Sequence, residues 1–121
     1  DDPRPDFAVA DLSFISLRLI LPALKELLST EDSEAVLLIK PQFEVGKERV
    51  GKKGVVRNPV DHIFALNGVL EVAKRLNWFP QGLIASPLVG PAGNHEYLLW
   101  LGNQQDIRLP DLDDLVQQTL S

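Results

Sequence analysis

Cysteine is absent from this 121-residue sequence, and so is any apolar stretch long enough to cross a bilayer. Without cysteine, the chain can form neither disulfides nor thiolate metal sites. Its longest apolar stretch, residues 17–28, is too short for a transmembrane helix and is interrupted by Arg18, Pro22, Lys25 and Glu26. The first six residues, DDPRPD, lack the apolar core of a signal peptide. These absences predict a cytoplasmic protein with no membrane partner.

An excess of positive charge is also missing. The chain carries 17 acidic and 12 basic residues, which gives a net charge of −5 and a pI near 4.9. This balance works against strong, non-specific nucleic-acid binding by this chain alone. Hydrophobic residues make up 45% of the sequence and charged residues 24%, which is ordinary for a folded domain. The length permits one domain with a modest core.

A short apolar run that ends on a lysine is the most informative stretch of the sequence. Residues 35–39 (AVLLI) are followed directly by Lys40 and Pro41. Such a run between turn signals predicts a strand buried on both faces. In open α/β sheets, ligands bind beyond the carboxyl ends of the parallel strands, so Lys40 is a candidate site residue. The alternative is a lysine that extends its charge into solvent from a strand end.

The apolar pattern predicts the order β, α, β, α, β, β, with a short helix at the end. The strands are predicted at residues 6–11, 35–40, 81–86 and 96–101, and the helices at 16–28, 60–76 and 110–120. Pro22 lies awkwardly in the first helix, which is expected to start near it or to kink there. A helical crossover makes the first two strands parallel, whereas a loop permits an antiparallel last pair. The prediction is an α/β half-sheet, mostly parallel with an antiparallel last strand.

Two carboxylates also stand at the ends of predicted strands. Asp11 follows the first strand, and Glu96 begins the last one. If the last strand is antiparallel, Asp11, Lys40 and Glu96 project from the same edge of the sheet. Simpler explanations exist, because Asp11 could cap the following helix and Glu96 could be an ordinary rim carboxylate.

The glycine-rich turn that cradles a cofactor in doubly wound folds is not found. Three glycines lie among charged residues after Lys40, and Gly90 and Gly93 precede a strand instead of a helix. A half-sheet of four strands also leaves one strand edge and parts of two helix faces exposed. We therefore expect residues 1–121 to be a single domain-sized fragment of a larger protein, with a homo-oligomeric or other protein contact at the exposed edge.

Several motifs together resemble the hemolysin A (TlyA) family, which belongs to the FtsJ-like methyltransferases. They are DLSFISL at 11–17, LIKPQFE at 38–44, GVVR at 54–57, SP at 86–87 and GNHEYLL at 93–99. The resemblance continues to about Gly102. It implies the C-terminal half of a Rossmann-like methyltransferase sheet, S-adenosylmethionine as cofactor, and ribose 2′-hydroxyls of RNA, expected to be ribosomal, as substrate.

The resemblance also implies catalytic residues. The family uses a Lys-Asp-Lys-Glu tetrad, whose last three members match Asp11, Lys40 and Glu96, and Asp11 is also the expected cofactor contact. The first lysine, the glycine-rich motif and the N-terminal RNA-binding domain of the family have no counterpart here. The chain is therefore expected to be the C-terminal catalytic part of the enzyme and inactive alone. The alternative is a non-enzymatic Rossmann-like fragment that self-associates or binds a partner protein.

Two roles are open to Lys40 in such a reaction. The ribose hydroxyl must lose its proton while its oxygen attacks the methyl group of a sulfonium in line. Lys40 is the base in one hypothesis. In the other it stays cationic, positions the hydroxyl or stabilises developing alkoxide charge, and a carboxylate or water accepts the proton.

A long polar segment, residues 42–58, supplies the candidate RNA contacts. Its basic residues are Lys47, Arg49, Lys52, Lys53 and Arg57. Loops of this length are usually functional or mobile, although a solvated loop is the commoner explanation of such a run. His62 and His95 are far apart and lack a second ligand at helical spacing, so no metal site is predicted.

Overall fold

The computed structural model describes residues 7–10, 16–28, 33–90 and 93–121. The described residues form four strands and four α-helices, and two 3₁₀ turns, Lys47–Arg49 and Lys52–Gly54, lie between α2 and α3. The elements in order are β1 (Phe7–Ala10), α1 (Leu17–Leu27), β2 (Glu34–Ile39), α2 (Pro41–Glu44), α3 (Pro59–Arg75), β3 (Phe79–Ala85), β4 (Tyr97–Gly102) and α4 (Leu112–Leu120).

The four strands form one sheet in the order β1-β2-β4-β3. β1 pairs with β2 in parallel, and β4 is antiparallel to both β2 and β3. The α/β architecture and the reversed last strand agree with the sequence prediction, but the pairing is not mostly parallel. Among the described residues, no α-helix lies between β3 and β4, and β4 folds back onto β3 and inserts between β2 and β3. One parallel pair is thereby replaced by two antiparallel ones.

The first helix begins earlier than its proline indicated. α1 starts at Leu17 and runs through Pro22, whereas a start or kink near Pro22 was predicted. Its N-terminal amides have partners, because the Ser16 hydroxyl accepts a hydrogen bond from the Arg18 amide (3.1 Å) and Glu44 accepts one from the Leu17 amide (2.8 Å). Capping of this kind stabilises the first turn of a helix. Glu44 is 27 positions from Leu17 in the sequence.

The hydrophobic core lies on one face of the sheet. β2 alternates between buried and partly exposed residues, with Ala35, Leu37 and Ile39 buried, so the prediction of a strand buried on both faces was wrong. The long helix α3, predicted from its apolar periodicity, packs against this face together with α1 and α4. The buried core comprises Leu17, Leu21, Leu37, Ile39, Leu66, Val69, Trp78, Tyr97, Leu99, Leu101 and Val116, among others.

The opposite face of the sheet exposes apolar side chains. Val9, Val36 and Trp100 are consecutive partners across β1, β2 and β4. Val9 is 73% exposed and Trp100 is 45% exposed, and Ile84 on β3 is exposed as well. The helices of the described residues thus cover mainly one face of the sheet.

Candidate active site at the carboxyl edge of the sheet

Lys40 and Glu96 lie opposite each other at one edge of the sheet. The last registered pair between β2 and β4 is Ile39 with Tyr97. Lys40 follows Ile39, and Glu96 precedes Tyr97, so both residues stand just beyond that pair. Lys40 is 8% exposed and Glu96 is 4% exposed. The convergence of these two charged residues agrees with the expectation from the strand ends.

Asp11, the third predicted site residue, lies outside the described residues. The described strand before it, β1, ends at Ala10 and runs parallel to β2. Parallel strands have their carboxyl ends on the same edge of a sheet. The role of Asp11 stays a prediction.

The Glu96 carboxylate has two close neighbours. Gln42, in α2, donates a hydrogen bond from Nε2 to Glu96 Oε2 (3.1 Å). A Cβ at position 90 would overlap the carboxylate, so a larger residue than glycine there would displace the Glu96 side chain. The Ser86 amide also donates to the Glu96 carbonyl (2.8 Å). Sequence reasoning named Glu96 as a candidate, whose role stays a prediction, and did not anticipate its contacts with Gln42 and Gly90.

Glu44, at the end of α2, joins the turn after Lys40 to the start of α1. Its carboxylate accepts hydrogen bonds from the Ser16 hydroxyl (2.6 Å) and the Leu17 amide (2.8 Å). Arg18 lies 3.4 Å from the same carboxylate and donates to the Glu44 carbonyl (2.8 Å). Burial raises the pKa of Glu44, while the bonds from Ser16 and Leu17 and the Arg18 charge oppose the rise. Glu44 was not predicted as a site residue, because its partners are distant in sequence.

Asn94 fixes the polar loop that precedes α3. Its Oδ1 accepts a hydrogen bond from the Val56 amide (3.0 Å), and its Nδ2 donates to the Gly54 carbonyl (2.7 Å). The Asn94 carbonyl also accepts from the Gly90 amide (2.7 Å). One buried asparagine therefore connects the loop at 54–56 to the turn that leads to Glu96.

His62 supports the same loop from α3. Nε2 lies 2.8 Å from the Val56 carbonyl and must donate to it, so Nδ1 of the neutral ring accepts from the Tyr97 hydroxyl at 2.9 Å. Burial, above all, lowers the pKa of His62 and raises that of Tyr97 to about 12. Both ring nitrogens are used in hydrogen bonds, which explains His62 as a structural residue. Within the described ranges, no group of three or more candidate ligands could hold a metal ion.

The basic residues of the polar loop divide into two kinds. Arg49 is paired with the buried carboxylate of Asp61 at 2.6 Å. Lys47, Lys53 and Arg57 are exposed, and no ion pair joins them to another described residue. Lys52 lies in the second 3₁₀ turn. Binding of RNA by these residues stays a prediction.

The junction of β2 and α2 lacks the glycines that let a backbone approach a nucleotide. β2 passes into α2 through Lys40 and Pro41. Asp11, the predicted cofactor contact, falls outside the described ranges. In the part of the chain that the structure describes, no helix is both long and apolar enough to cross a membrane.

Comparison with known proteins shows which family the chain resembles. Residues 2–103 match the family model described as FtsJ-like methyltransferase. The chain is 48% identical over 120 residues to the 16S/23S rRNA (cytidine-2′-O)-methyltransferase TlyA of Mycobacterium tuberculosis, covering 98% of this chain and 44% of that protein. It is 36% identical over 99 residues to hemolysin A of Brachyspira hyodysenteriae, covering 81% of this chain and 40% of that protein.

A solved structure agrees with these matches. The crystal structure of a candidate hemolysin from Lactococcus lactis aligns with a TM-score of 0.86 and 40% identity, covering 98% of this chain and 57% of that one. The chain thus spans less than half the length of the curated relatives named above. The family match covers most of its residues, and the chain belongs to the FtsJ-like methyltransferase family.

Proposed function

We propose that the full-length protein containing this chain methylates ribose 2′-hydroxyls of ribosomal RNA and takes the methyl group from S-adenosylmethionine. The observation that carries the proposal is the pair of buried charges, Lys40 and Glu96, at the carboxyl edge of a sheet in a member of a methyltransferase family. The name of the Mycobacterium tuberculosis relative specifies rRNA and the 2′-oxygen. A ribosomal substrate also favours a cytoplasmic location.

The catalytic residues of the proposal are Asp11, Lys40 and Glu96. The ribose oxygen forms a bond to the methyl carbon, the sulfur–carbon bond breaks, and the hydroxyl proton leaves to a base. Lys40 either takes that proton or remains cationic beside the developing oxyanion, in which case a carboxylate or water takes the proton. Asp11 is also the proposed contact of this chain to the cofactor.

Substitutions of Lys40 in the full-length protein test this assignment. Lys40→Met removes the charge and should lower the rate of methyl transfer to ribosomal RNA by about 100-fold or more. Lys40→Arg separates the two roles, because arginine keeps the charge but does not act as a base. Partial activity in Lys40→Arg supports the electrostatic role, and inactivity as complete as in Lys40→Met supports the base.

Lys74→Met, on the exposed side of α3, is the matched control and should methylate at the wild-type rate. A Lys40→Met variant that methylates as fast as this control would exclude Lys40 from catalysis.

Isothermal titration of the isolated chain with S-adenosylmethionine tests whether the proposed cofactor-binding part of the enzyme lies outside this chain. We expect no measurable binding, because the glycine-rich cofactor motif is not in this sequence.

One observation favours the alternative function, a non-enzymatic fragment that self-associates or binds a partner protein. Among the described strands, β1 is at the edge of the sheet, and its Phe7 and Val9 are more than half exposed. In the full-length protein we propose that the remaining part covers this region. In the isolated chain, the free edge favours self-association, and a single monomeric peak in size-exclusion chromatography at high concentration would count against it.

A further inference from the structure

Only the nitrogen of the Gln42 side-chain amide has a hydrogen-bond partner among the described residues. Its Nε2 donates to Glu96 Oε2 at 3.1 Å. Its Oε1 is buried and has no hydrogen-bond partner among the residues that the structure describes. Buried polar atoms in native proteins nearly always have a partner, so the Gln42 oxygen requires an explanation.

The orientation of this amide is fixed by chemistry. A carboxylate can only accept hydrogen bonds, so the amide NH₂ must face Glu96 and the carbonyl oxygen must point away from that bond. Exchanging the two atoms would set an oxygen against a carboxylate oxygen. The unpartnered atom is therefore an acceptor, and its partner must be a donor such as a hydroxyl or an amino group.

Gln42 is also well placed to act on Glu96. It lies in the short helix that begins directly after Lys40, and its amide donates to Glu96 Oε2. Gly90 lies close to the same carboxylate but offers it no side chain. Loss of the Gln42 amide would therefore remove a hydrogen bond that orients the carboxylate.

We propose that Gln42 is a positioning and recognition residue: its NH₂ group orients the Glu96 carboxylate, and its Oε1 accepts a hydrogen bond from a hydroxyl or amino group of the substrate nucleotide. The proposal deepens the function proposed above and rests on it. It assigns substrate contact to a residue outside the three charged candidates. Loss of the NH₂ group and loss of Oε1 should therefore have different effects on kcat and on KM for RNA.

The experiment compares variants of the full-length protein in steady-state methylation of ribosomal RNA. Gln42→Leu removes both polar atoms at similar volume, and it should lower kcat about tenfold and raise KM for RNA several-fold. Gln42→Glu keeps an acceptor but loses the donor and adds a charge beside Glu96. It should retain more of the RNA affinity than Gln42→Leu while still losing kcat.

The separation of kcat from KM distinguishes positioning from a general structural effect. Without the amide donor, the Glu96 carboxylate loses its hydrogen bond from Gln42, so kcat should fall in both Gln42→Leu and Gln42→Glu, whereas KM for RNA should rise mainly in Gln42→Leu, which also lacks the acceptor. A general structural effect would raise KM in both variants. Gln118→Leu, on the exposed side of α4, is the matched control and should keep kcat and KM. Thermal melting verifies folding, and Gln42→Asn, which keeps a shorter amide, replaces Gln42→Leu if that variant does not fold.

The outcomes separate the two proposals. If the wild type methylates RNA and Gln42→Leu matches it in kcat and KM, the assignment of Gln42 is overturned and the proposed function stands. If the wild type does not methylate RNA, the proposed function fails and substrate recognition by Gln42 fails with it. The ¹³C chemical shift of the Glu96 carboxylate then still decides the positioning role, because an identical chemical shift in wild type and Gln42→Leu would overturn it.

Discussion

The two consecutive segments that follow β2 differ in whether their side chains or their backbone make the stabilising contacts. In the turn formed by residues 40–44, side chains make the contacts, since Gln42 reaches Glu96 and Glu44 reaches the first turn of α1. In the loop formed by residues 45–58, the backbone is held instead, by Asn94 and His62. The side chains of the first segment are thereby fixed, while most basic side chains of the second remain exposed.

This difference corresponds to the requirements of two functions, positioning a reacting group and binding RNA phosphates. A reacting group must be held in a narrow range of positions, and supporting hydrogen bonds provide that precision. Contacts to RNA phosphates need charge at the surface more than exact placement. Arg49 is the exception within the loop, because Asp61 fixes its guanidinium. Three experiments test this difference between the two segments.

The largest effect is expected from removing the carboxylate that holds the turn. Glu44→Ala leaves the Ser16 hydroxyl and the Leu17 amide without their acceptor and Arg18 without its charge partner. We expect the free energy of unfolding in urea to fall by about 3 kcal/mol. Glu71→Ala breaks an exposed pair with Arg75 on α3 and should change it by less than about 0.5 kcal/mol. Equal losses in the two variants would contradict a special role for Glu44.

The second experiment uses pH, to which the two segments should respond in opposite directions. Because the folded pKa of His62 is lowered, its contribution to stability is full above the ordinary value of 6.5 and is lost as pH falls through the folded pKa. Because the folded pKa of Glu44 is raised, its contribution is full below 4.5 and is lost as pH rises through the folded pKa.

Urea unfolding at several pH values from 4 to 8 measures these contributions. His62→Gln should reduce the loss of stability on acidification relative to the wild type, whereas Glu44→Gln should increase it. The two variants serve as controls for each other, since their pH profiles should deviate from the wild type with opposite signs. Deviations of the same sign would refute the assignment of these shifts to the two segments.

The smallest effect on stability is expected at the exposed basic residues. Lys47→Ala and Arg57→Ala should leave the free energy of unfolding within about 0.5 kcal/mol of the wild type. In the full-length protein, each should reduce the salt dependence of RNA binding by about one unit of slope if it contacts a phosphate. Lys74→Ala on α3 is the control for non-specific charge loss. Unchanged slopes in both loop variants would remove this loop from the RNA interface.

The sequence predicted those features that depend on local patterns. Apolar periodicity located α3, and the reasoning about strand ends brought Lys40 and Glu96 to one edge of the sheet. The contacts that hold the site were not predicted, because Gln42 and Glu96 are 54 residues apart and Glu44 and Leu17 are 27 residues apart. No periodicity connects such pairs. The start of α1 was left open by the sequence, because Pro22 was compatible with a later start or a kink, and the observed cap includes Glu44 from another element.

The position of β4 has a consequence for the order in which the molecule can form. β4 is the last strand along the chain, yet it lies between β2 and β3. During synthesis, β3 has no partner among the described strands until residues 97–102 have emerged, and the edge of β2 stays unpaired for the same period. Glu96 comes to lie opposite Lys40 only in that step. The sheet is therefore completed, and its two charged residues are brought together, in one late event.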